Sequence, residues 1–151
     1  MIEYGPITVE QFRTQAQVLL TEHYAELTRD KTVMTLSPNW KRYFELEQKG
    51  TLFTLGAWDG VDLVGYVAFF LGHHMHYQTT LIATNDVLFL SQDYRKGSTG
   101  VRLIKESEKQ LAVLGVKKIF WHVKHATVLG PLLKALRYDD EEYVMAKLLG
   151  E

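Results

Sequence analysis

The sequence has no cysteine, only three prolines, almost no net charge and no long apolar run. Without cysteine there is no disulfide, no thiolate metal ligand and no cysteine nucleophile. The absence also fits a reducing compartment. A net charge of −1 and a pI near 6.6 give no electrostatic reason to expect nucleic acid or an anionic membrane as partner.

The apolar stretch at residues 64–71 is much shorter than the ~20 residues that span a bilayer. The N-terminal sequence MIEYGPITVEQF has no basic segment followed by an apolar run, so we expect no signal peptide. These features predict a cytoplasmic protein that binds neither nucleic acid nor membrane. With 151 residues, 46% of them hydrophobic, and no linker or repeat, we expect one domain over residues 1–151.

Helical patterns come first along the chain. Thr8 and Gln11 form a capping-box pattern, and apolar residues recur at helical spacing through residues 12–27. The Ser-Pro pair at 37–38 predicts a second helix start, and Gly50 a stop. Further helices are predicted after Gly100, ending at Gly115, and from Gly130. The predicted strands cover residues 51–58, 63–71, 81–90, 117–123 and 142–149.

The order of these elements predicts the fold class. Asp59-Gly60 is a strong hairpin signal, so the first strands form an antiparallel meander. The later strand–helix–strand unit makes strands 81–90 and 117–123 parallel. We therefore expect an α/β (α+β) three-layer domain, with a mixed, mostly antiparallel sheet, a central parallel strand pair and helices on both faces.

The segment LFLSQDYRKGSTGVRLI, residues 88–104, carries the most chemical information. A strand ends, a glycine-containing turn follows, and an amphipathic helix begins. Backbone N–H groups at 96–100 would be unpaired donors beside the positive end of the helix dipole, an arrangement that suits phosphate. Gly97 and Gly100 remove side-chain bulk, and Arg95 and Lys96 add charge that suits a diphosphate. Such units also occur without any ligand, and that reading stays open.

At these residues the sequence resembles the GNAT acetyltransferase superfamily, whose acetyl-CoA motif reads R/Q-x-x-G-x-G/A after a strand. Here residues 95–100 read RKGSTG, Tyr94 supplies the usual preceding aromatic, and Ser98 stands at the middle glycine. The predicted order of elements also resembles the family over nearly the whole chain. The general appearance is similar to small GNATs encoded by tailed phages.

The resemblance implies an enzyme that uses acetyl-CoA to acetylate a primary amine of a small molecule or protein. The strand backbone at 88–90 would pair with the pantetheine arm, and residues 95–100 would hold the pyrophosphate. Acetyl-CoA and an amine acceptor are thus the implied partners, and a homodimer is left open. The implied cofactor-binding residues are Leu88, Phe89, Leu90, Arg95, Lys96, Gly97, Ser98, Thr99 and Gly100.

Direct acyl transfer needs a group that accepts the amine proton. Asp86 is the leading candidate, because strand positions 84, 86, 88 and 90 share one face. Ordinary turn or edge chemistry is the alternative for Asp86. His76, in the loop HHMHYQTT, is a candidate proton relay, although an exposed polar loop explains it equally simply. A metal site there has less support, since no carboxylate or cysteine stands at a recognised spacing.

The group that would protonate the departing thiolate is not evident. Leu133 occupies the position where the family often has a tyrosine, which leaves His125 and Tyr143 as substitutes. This gap keeps an alternative open: a catalytically weak GNAT-fold protein that binds acyl-CoA or a protein partner. The aromatic stripe Trp40, Tyr43 and Phe44 indicates either core packing or a wall of the acceptor site.

Overall fold

The computed structural model describes residues 1–150. The chain divides into two compact units, residues 1–121 and the residues from His122 onward. The first unit holds every strand and all but the last helix. The elements are β1 (Ile2–Pro6), α1 (Val9–Gln15), α2 (Gln17–Leu27), α3 (Trp40–Gln48), β2 (Leu52–Asp59), β3 (Asp62–His74), β4 (Tyr77–Leu90), a 3-10 turn (Gln92–Tyr94), α4 (Thr99–Val113), β5 (Lys118–Phe120) and α5 (Leu129–Ala135).

The five strands form one sheet in the order β1-β2-β3-β4-β5. Neighbours are antiparallel except β4 and β5, which pair in parallel through residues 82–84 and 118–120. The predicted mixed sheet with a parallel pair is therefore confirmed, but within residues 1–150 the pair lies at the edge of the sheet and not at its centre, because residues 142–149 add no strand beside β5. The predicted hairpin is confirmed as well: β2 ends at Asp59, and Gly60 takes the positive φ of +61° that the tight turn requires.

Helices cover both faces of the sheet. On one face α4 buries Leu103 and Leu111 against β2 and β3 in the larger core cluster. On the other face α1 and α2 bury Phe12 and Leu19 in a second cluster around Tyr66. Tyr66 is completely buried. This arrangement confirms the predicted three layers.

The N-terminal region differs from the prediction in two ways. Residues 2–6 form an edge strand that was not predicted, and Tyr4 packs from it onto the larger core. The capping box at Thr8 is confirmed, but the expected continuous helix is broken at Ala16, whose ψ of 9° leaves the helical region. The apolar pattern continues across the break because Ala16 itself is buried. α3 starts later than predicted, with Asn39 rather than Ser37 as its N-cap.

Two predicted elements near the sheet are corrected. The expected loop HHMHYQTT is the tip of a long hairpin, because β3 continues to His74 and β4 begins at Tyr77. The predicted last strand at 142–149 is wrong: residues 139–150 have no regular structure and are exposed. Its run YVMAKLL has apolar residues on both faces, so it lacks the alternation by which a strand buries one face.

Truncating Leu103 should destabilise the protein strongly. The side chain is fully buried in the larger core, so Leu103→Ala leaves a cavity and should lower the free energy of unfolding by about 2–5 kcal/mol. Val113 in the same helix is 84% exposed, and Val113→Ala should change it by less than about 0.5 kcal/mol. Urea unfolding followed by circular dichroism measures both. Equal effects would contradict this packing of α4.

Candidate active site

One extra residue in β4 places Asp86 and Leu88 on opposite faces of the strand. Val87 pairs with Ala68 and Asn85 pairs with Phe69, so Asp86 has no partner of its own in β3. This is a β-bulge, which disturbs the alternation of side chains between the two faces of a strand. The expectation that positions 84, 86, 88 and 90 share one face is therefore wrong.

The bulge separates Asp86 from Leu88. Leu88 packs against the larger core on the α4 side of the sheet. Asp86 lines a cavity on the opposite side, together with its neighbour Val87. The side chain of Asp86 thus faces the helices α1, α2 and α3 rather than α4.

The cavity, which we call the Asp86 cavity, has a volume of about 290 Å³. Its floor is the sheet, and its walls are α1, α2, α3 and the segment 34–38. Most of the lining is apolar or aromatic. The lining residues are Val9, Phe12, Leu20, His23, Tyr24, Thr28, Met34, Thr35, Leu36, Ser37, Pro38, Trp40, Tyr43, Leu52, Thr54, Ala68, Asp86 and Val87.

Asp86 accepts a hydrogen bond from the Tyr43 hydroxyl. Burial raises the pKa of the Asp86 carboxyl above its ordinary value, and the Tyr43 hydrogen bond offsets part of that rise. The pKa of Tyr43 is raised well above its own ordinary value, first by burial and then by Asp86. Tyr43 is therefore a neutral donor at physiological pH, and Asp86 is a carboxyl group of increased basicity.

Aromatic rings surround this carboxyl group. The ring of Trp40 lies 5.9 Å from that of Tyr43 and 6.0 Å from that of Phe12. Tyr43 also stacks on Phe70 at 6.4 Å. Of the aromatic stripe on α3, Trp40 and Tyr43 line the Asp86 cavity, whereas Phe44 faces a separate surface groove. The stripe thus contributes to a cavity wall as well as to packing.

His23 also lines the cavity, and the sequence reading did not single it out. Its Nδ1 lies 3.0 Å from the Tyr66 hydroxyl, and its ring stacks on Phe89 at 5.0 Å. The available signal was its position four residues after buried Leu19, which places both on one face of α2.

The turn at residues 95–100 provides free backbone donors. The first backbone hydrogen bond of α4 runs from Arg102 N–H to the Ser98 carbonyl at 2.9 Å. Within residues 1–150, the N–H groups of 96–101 donate to no protein acceptor. Gly97 has a φ of +94°, which favours glycine, and a Cβ added at Gly100 would meet only Leu90 Cδ2, at 3.7 Å. This cradle of free donors with open space beside it fits a pyrophosphate.

Arg95 is engaged elsewhere in this structure. Its Nη1 and Nη2 donate to the two carboxylate oxygens of Glu26, each at 2.7 Å, and its Nε donates to the Leu90 carbonyl at 2.8 Å. Its guanidinium also lies over the Phe89 ring, 5.2 Å from the centroid. These contacts tie the turn to α2, and direct contact of Arg95 with phosphate stays a prediction. Lys96 is exposed beside the turn.

The edge of β4 on the β5 side is the predicted site of the pantetheine arm. β5 pairs with residues 82–84 and accompanies β4 no further. Beyond that pairing, the β4 backbone from residue 86 to Leu90 suits an extended amide chain that pairs with it as a strand would. Pairing through residues 88–90 remains a prediction, and the Leu90 carbonyl already accepts from Arg95.

Of the two predicted catalytic histidines, His76 belongs to the same unit as Asp86 but lies far from it. His76 lies in the exposed hairpin tip, where its N–H donates to His74 Nδ1. Ten residues of extended strand place it about 30 Å from Asp86, so it cannot relay the same proton. His125 lies in an exposed turn of the C-terminal unit. In that unit Leu133 is buried in α5 and Tyr143 is exposed.

Comparison with known proteins identifies the family. The model of the acetyltransferase (GNAT) family matches residues 18–128, well over half of the chain. The protein therefore belongs to the GNAT acetyltransferase family and is an acyltransferase by class. No curated protein matches its sequence. No helix within residues 1–150 is long and apolar enough to cross a membrane.

Solved structures share the fold at low sequence identity. A GCN5-related N-acetyltransferase from Ralstonia eutropha has a TM-score of 0.79 at 12% identity, over 99% of this chain and 100% of that one. An aminoglycoside acetyltransferase from an uncultured soil sample has 0.76 at 14%, over 100% and 99%. A ribosomal-protein-alanine N-acetyltransferase from Brucella melitensis biovar Abortus has 0.73 at 15%, over 100% of both. The different acceptors in these names leave the acceptor of this protein open.

Replacing Asp86 by asparagine should stabilise the protein at neutral pH. The pKa of Asp86 is raised in the folded state. The folded protein therefore becomes less stable as pH rises from the ordinary aspartate range through that raised pKa. Asparagine does not titrate and still accepts from Tyr43. Asp86→Asn should therefore melt above wild type at pH 7, with a difference that shrinks toward pH 4. Exposed Asp62→Asn is the control, and a lower, pH-independent melting temperature for Asp86→Asn would contradict the account.

Filling the open space at Gly100 should remove the pyrophosphate site without unfolding the protein. Gly100→Leu meets little protein and improves helix propensity, so the melting temperature should not fall. Calorimetric titration should show acetyl-CoA binding at least ~10-fold weaker, since the side chain occupies the cradle. Gly72→Leu, at an exposed glycine with open space, should bind as wild type does. Unchanged affinity of Gly100→Leu would mean that the pyrophosphate binds elsewhere.

Proposed function

We propose that this protein is an acetyl-CoA-dependent N-acetyltransferase that moves an acetyl group directly to a primary amine. The observation that carries the proposal is the position of Asp86, a half-buried carboxyl group with a raised pKa on β4. The same strand leads into the cradle at 95–100. Asp86 and the end of β4 at Leu90 are four residues apart, about 13 Å along the strand. We infer that one molecule binds along β4 from the cradle toward Asp86.

Acetyl-CoA supplies an activated acetyl thioester, and the residues of this chain would bind and orient it. The free N–H groups of the cradle suit the pyrophosphate, with Lys96 adding positive charge nearby. The open edge of β4 suits the amide groups of the pantetheine arm. The proposed binding residues are those expected from the sequence, at 88–90 and 95–100.

Asp86 would act as the general base. An ammonium group must lose a proton before its nitrogen can attack a carbonyl carbon, and a carboxylate of raised pKa is better suited to accept it. The amine nitrogen then forms the C–N bond and gives its remaining excess proton to water, while the C–S bond breaks and the sulfur leaves with the electron pair. Tyr43 holds the carboxylate in place through its hydrogen bond. We assign the final protonation of sulfur to water.

One observation favours a slower, chiefly binding role. Leu133, at the position where related enzymes often have a tyrosine, is buried and cannot donate a proton. A protein that binds acyl-CoA or a protein partner with weak catalysis is therefore the second candidate. It predicts acetyl-CoA binding without amine-dependent release of CoA. The first candidate predicts both.

Asp86→Asn should lower amine-dependent release of CoA about 10²–10⁴-fold while leaving acetyl-CoA affinity unchanged, because only the base is lost. A thiol-reactive dye follows the release, and mass spectrometry identifies the acetylated amine. The chain has no cysteine to react with the dye. Asp62→Asn controls for loss of a carboxylate and should turn over normally. Full activity of Asp86→Asn would eliminate it as the base, and the absence of turnover with every amine would favour the second candidate.

A further inference from the structure

The Asp86 cavity combines one carboxyl group with a mostly apolar lining. Of the described residues that line it, only Asp86 is a carboxylate, and none is lysine or arginine. The remaining polar side-chain groups are hydroxyls, the indole N–H of Trp40 and His23, which already contacts Tyr66. One buried acid can balance one ammonium group. A second ammonium in the same cavity would lose its water without a partner charge.

We propose that the acceptor is a small monoamine with an apolar body, of the arylalkylamine class. This inference rests on the proposed function, because it takes the Asp86 cavity as the acceptor site. Phe12, Trp40 and Tyr43 present a cluster of rings beside Asp86, and aromatic faces attract an ammonium group while covering an apolar body. The carboxylate holds the amine end, and the rings with Leu36 and Leu52 enclose the rest.

The size of the cavity agrees with such a ligand. At about 290 Å³ it lies at the small end of ligand pockets, which run to ~1,000 Å³ for larger molecules. Aminoglycosides and long polyamines carry several ammonium groups. They would place extra charges against Leu20, Leu36 and Leu52, where no acid balances them. The structure thus favours an apolar monoamine over a polycation.

A matched pair of ligands tests the charge recognition directly. Phenethylamine and 2-phenylethanol share the ring and chain, and only the amine carries a positive charge. At pH 8 wild type should bind the amine at least ~10-fold more tightly than the alcohol, in titration calorimetry with CoA present. Asp86→Asn should abolish that difference. Trp40→Ala should weaken both ligands, and Phe44→Ala, on the same helix but outside the cavity, should change neither.

A gain of function tests the single-charge argument without relying on a loss. Leu36 lies in a loop and is 44% exposed, so Leu36→Asp should fold normally. A second carboxylate in the cavity should strengthen binding of the diamine 1,4-diaminobutane at least ~10-fold relative to wild type and weaken phenethylamine. The same change at exposed Val61, Val61→Asp, is the control and should alter neither.

The outcomes separate this inference from the proposed function. Acetylation of phenethylamine with kcat/KM at least ~10-fold above that of spermine, kanamycin and a lysine peptide supports both. Turnover of a polycation or peptide in preference to phenethylamine overturns the monoamine class and keeps the enzyme. The predicted binding pattern without turnover of any amine refutes the proposed function and supports the cavity's ligand class. An amine–alcohol difference that survives in Asp86→Asn overturns the inference.

Discussion

The partial burial of Asp86 is the constraint on which the proposed site depends. Placing a carboxylate in an apolar cavity costs free energy. The group loses its hydrogen bonds to water, and protein donors only partly replace them. Here one hydrogen bond from Tyr43 replaces part of the lost hydration. The packing of the helices on the sheet holds the two side chains in place. The same burial that disfavours the charged form raises the pKa of the carboxyl and makes it a better base. Under the proposed function, stability and catalysis would therefore place opposite demands on this residue.

The bulge in β4 makes this burial possible. Ala83 and Leu88 both belong to the larger core although they are five positions apart, so without the extra residue Asp86 and Leu88 would share one face of the strand. With it, the acid faces the cavity while Leu88 keeps its packing. The extra residue thus allows one strand to carry an acid that faces the cavity and, two positions later, a side chain that packs in the core. Under the proposed function, the cavity walls would determine which amine can reach the acid.

The sequence was sufficient for the features that depend on local pattern. The hairpin at Gly60, the capping box at Thr8, the α4 layer and the parallel pair follow from turn residues and apolar periodicity, and each is confirmed. The bulge has no such signature in the sequence. The apolar pattern of β4 is compatible with a strand that has the extra residue and with one that lacks it. The prediction of a last strand was wrong for a related reason. Residues 142–149 have β-propensity but no apolar alternation, so a strand there would have no apolar face to bury.

Contacts between residues distant in sequence could not be predicted from the sequence. Asp86 and Tyr43 are 43 residues apart, and so are His23 and Tyr66. The pair of Arg95 with Glu26 spans 69 residues and gives the motif arginine a role that its spacing could not indicate. Asp86 was singled out because its residue type suits a base, although the supporting argument about strand faces was wrong. Only the fold shows that α3 supplies its hydrogen-bond donor.

A crystal structure with a bisubstrate analogue, phenethylamine joined to CoA through an acetyl bridge, would test the account most directly. We predict that the amine nitrogen lies within hydrogen-bond reach of Asp86, with the aromatic ring against Trp40. The pyrophosphate should accept from the free N–H groups at 96–101. An analogue whose amine end lies outside the Asp86 cavity, or on the α4 side of the sheet, would contradict the account.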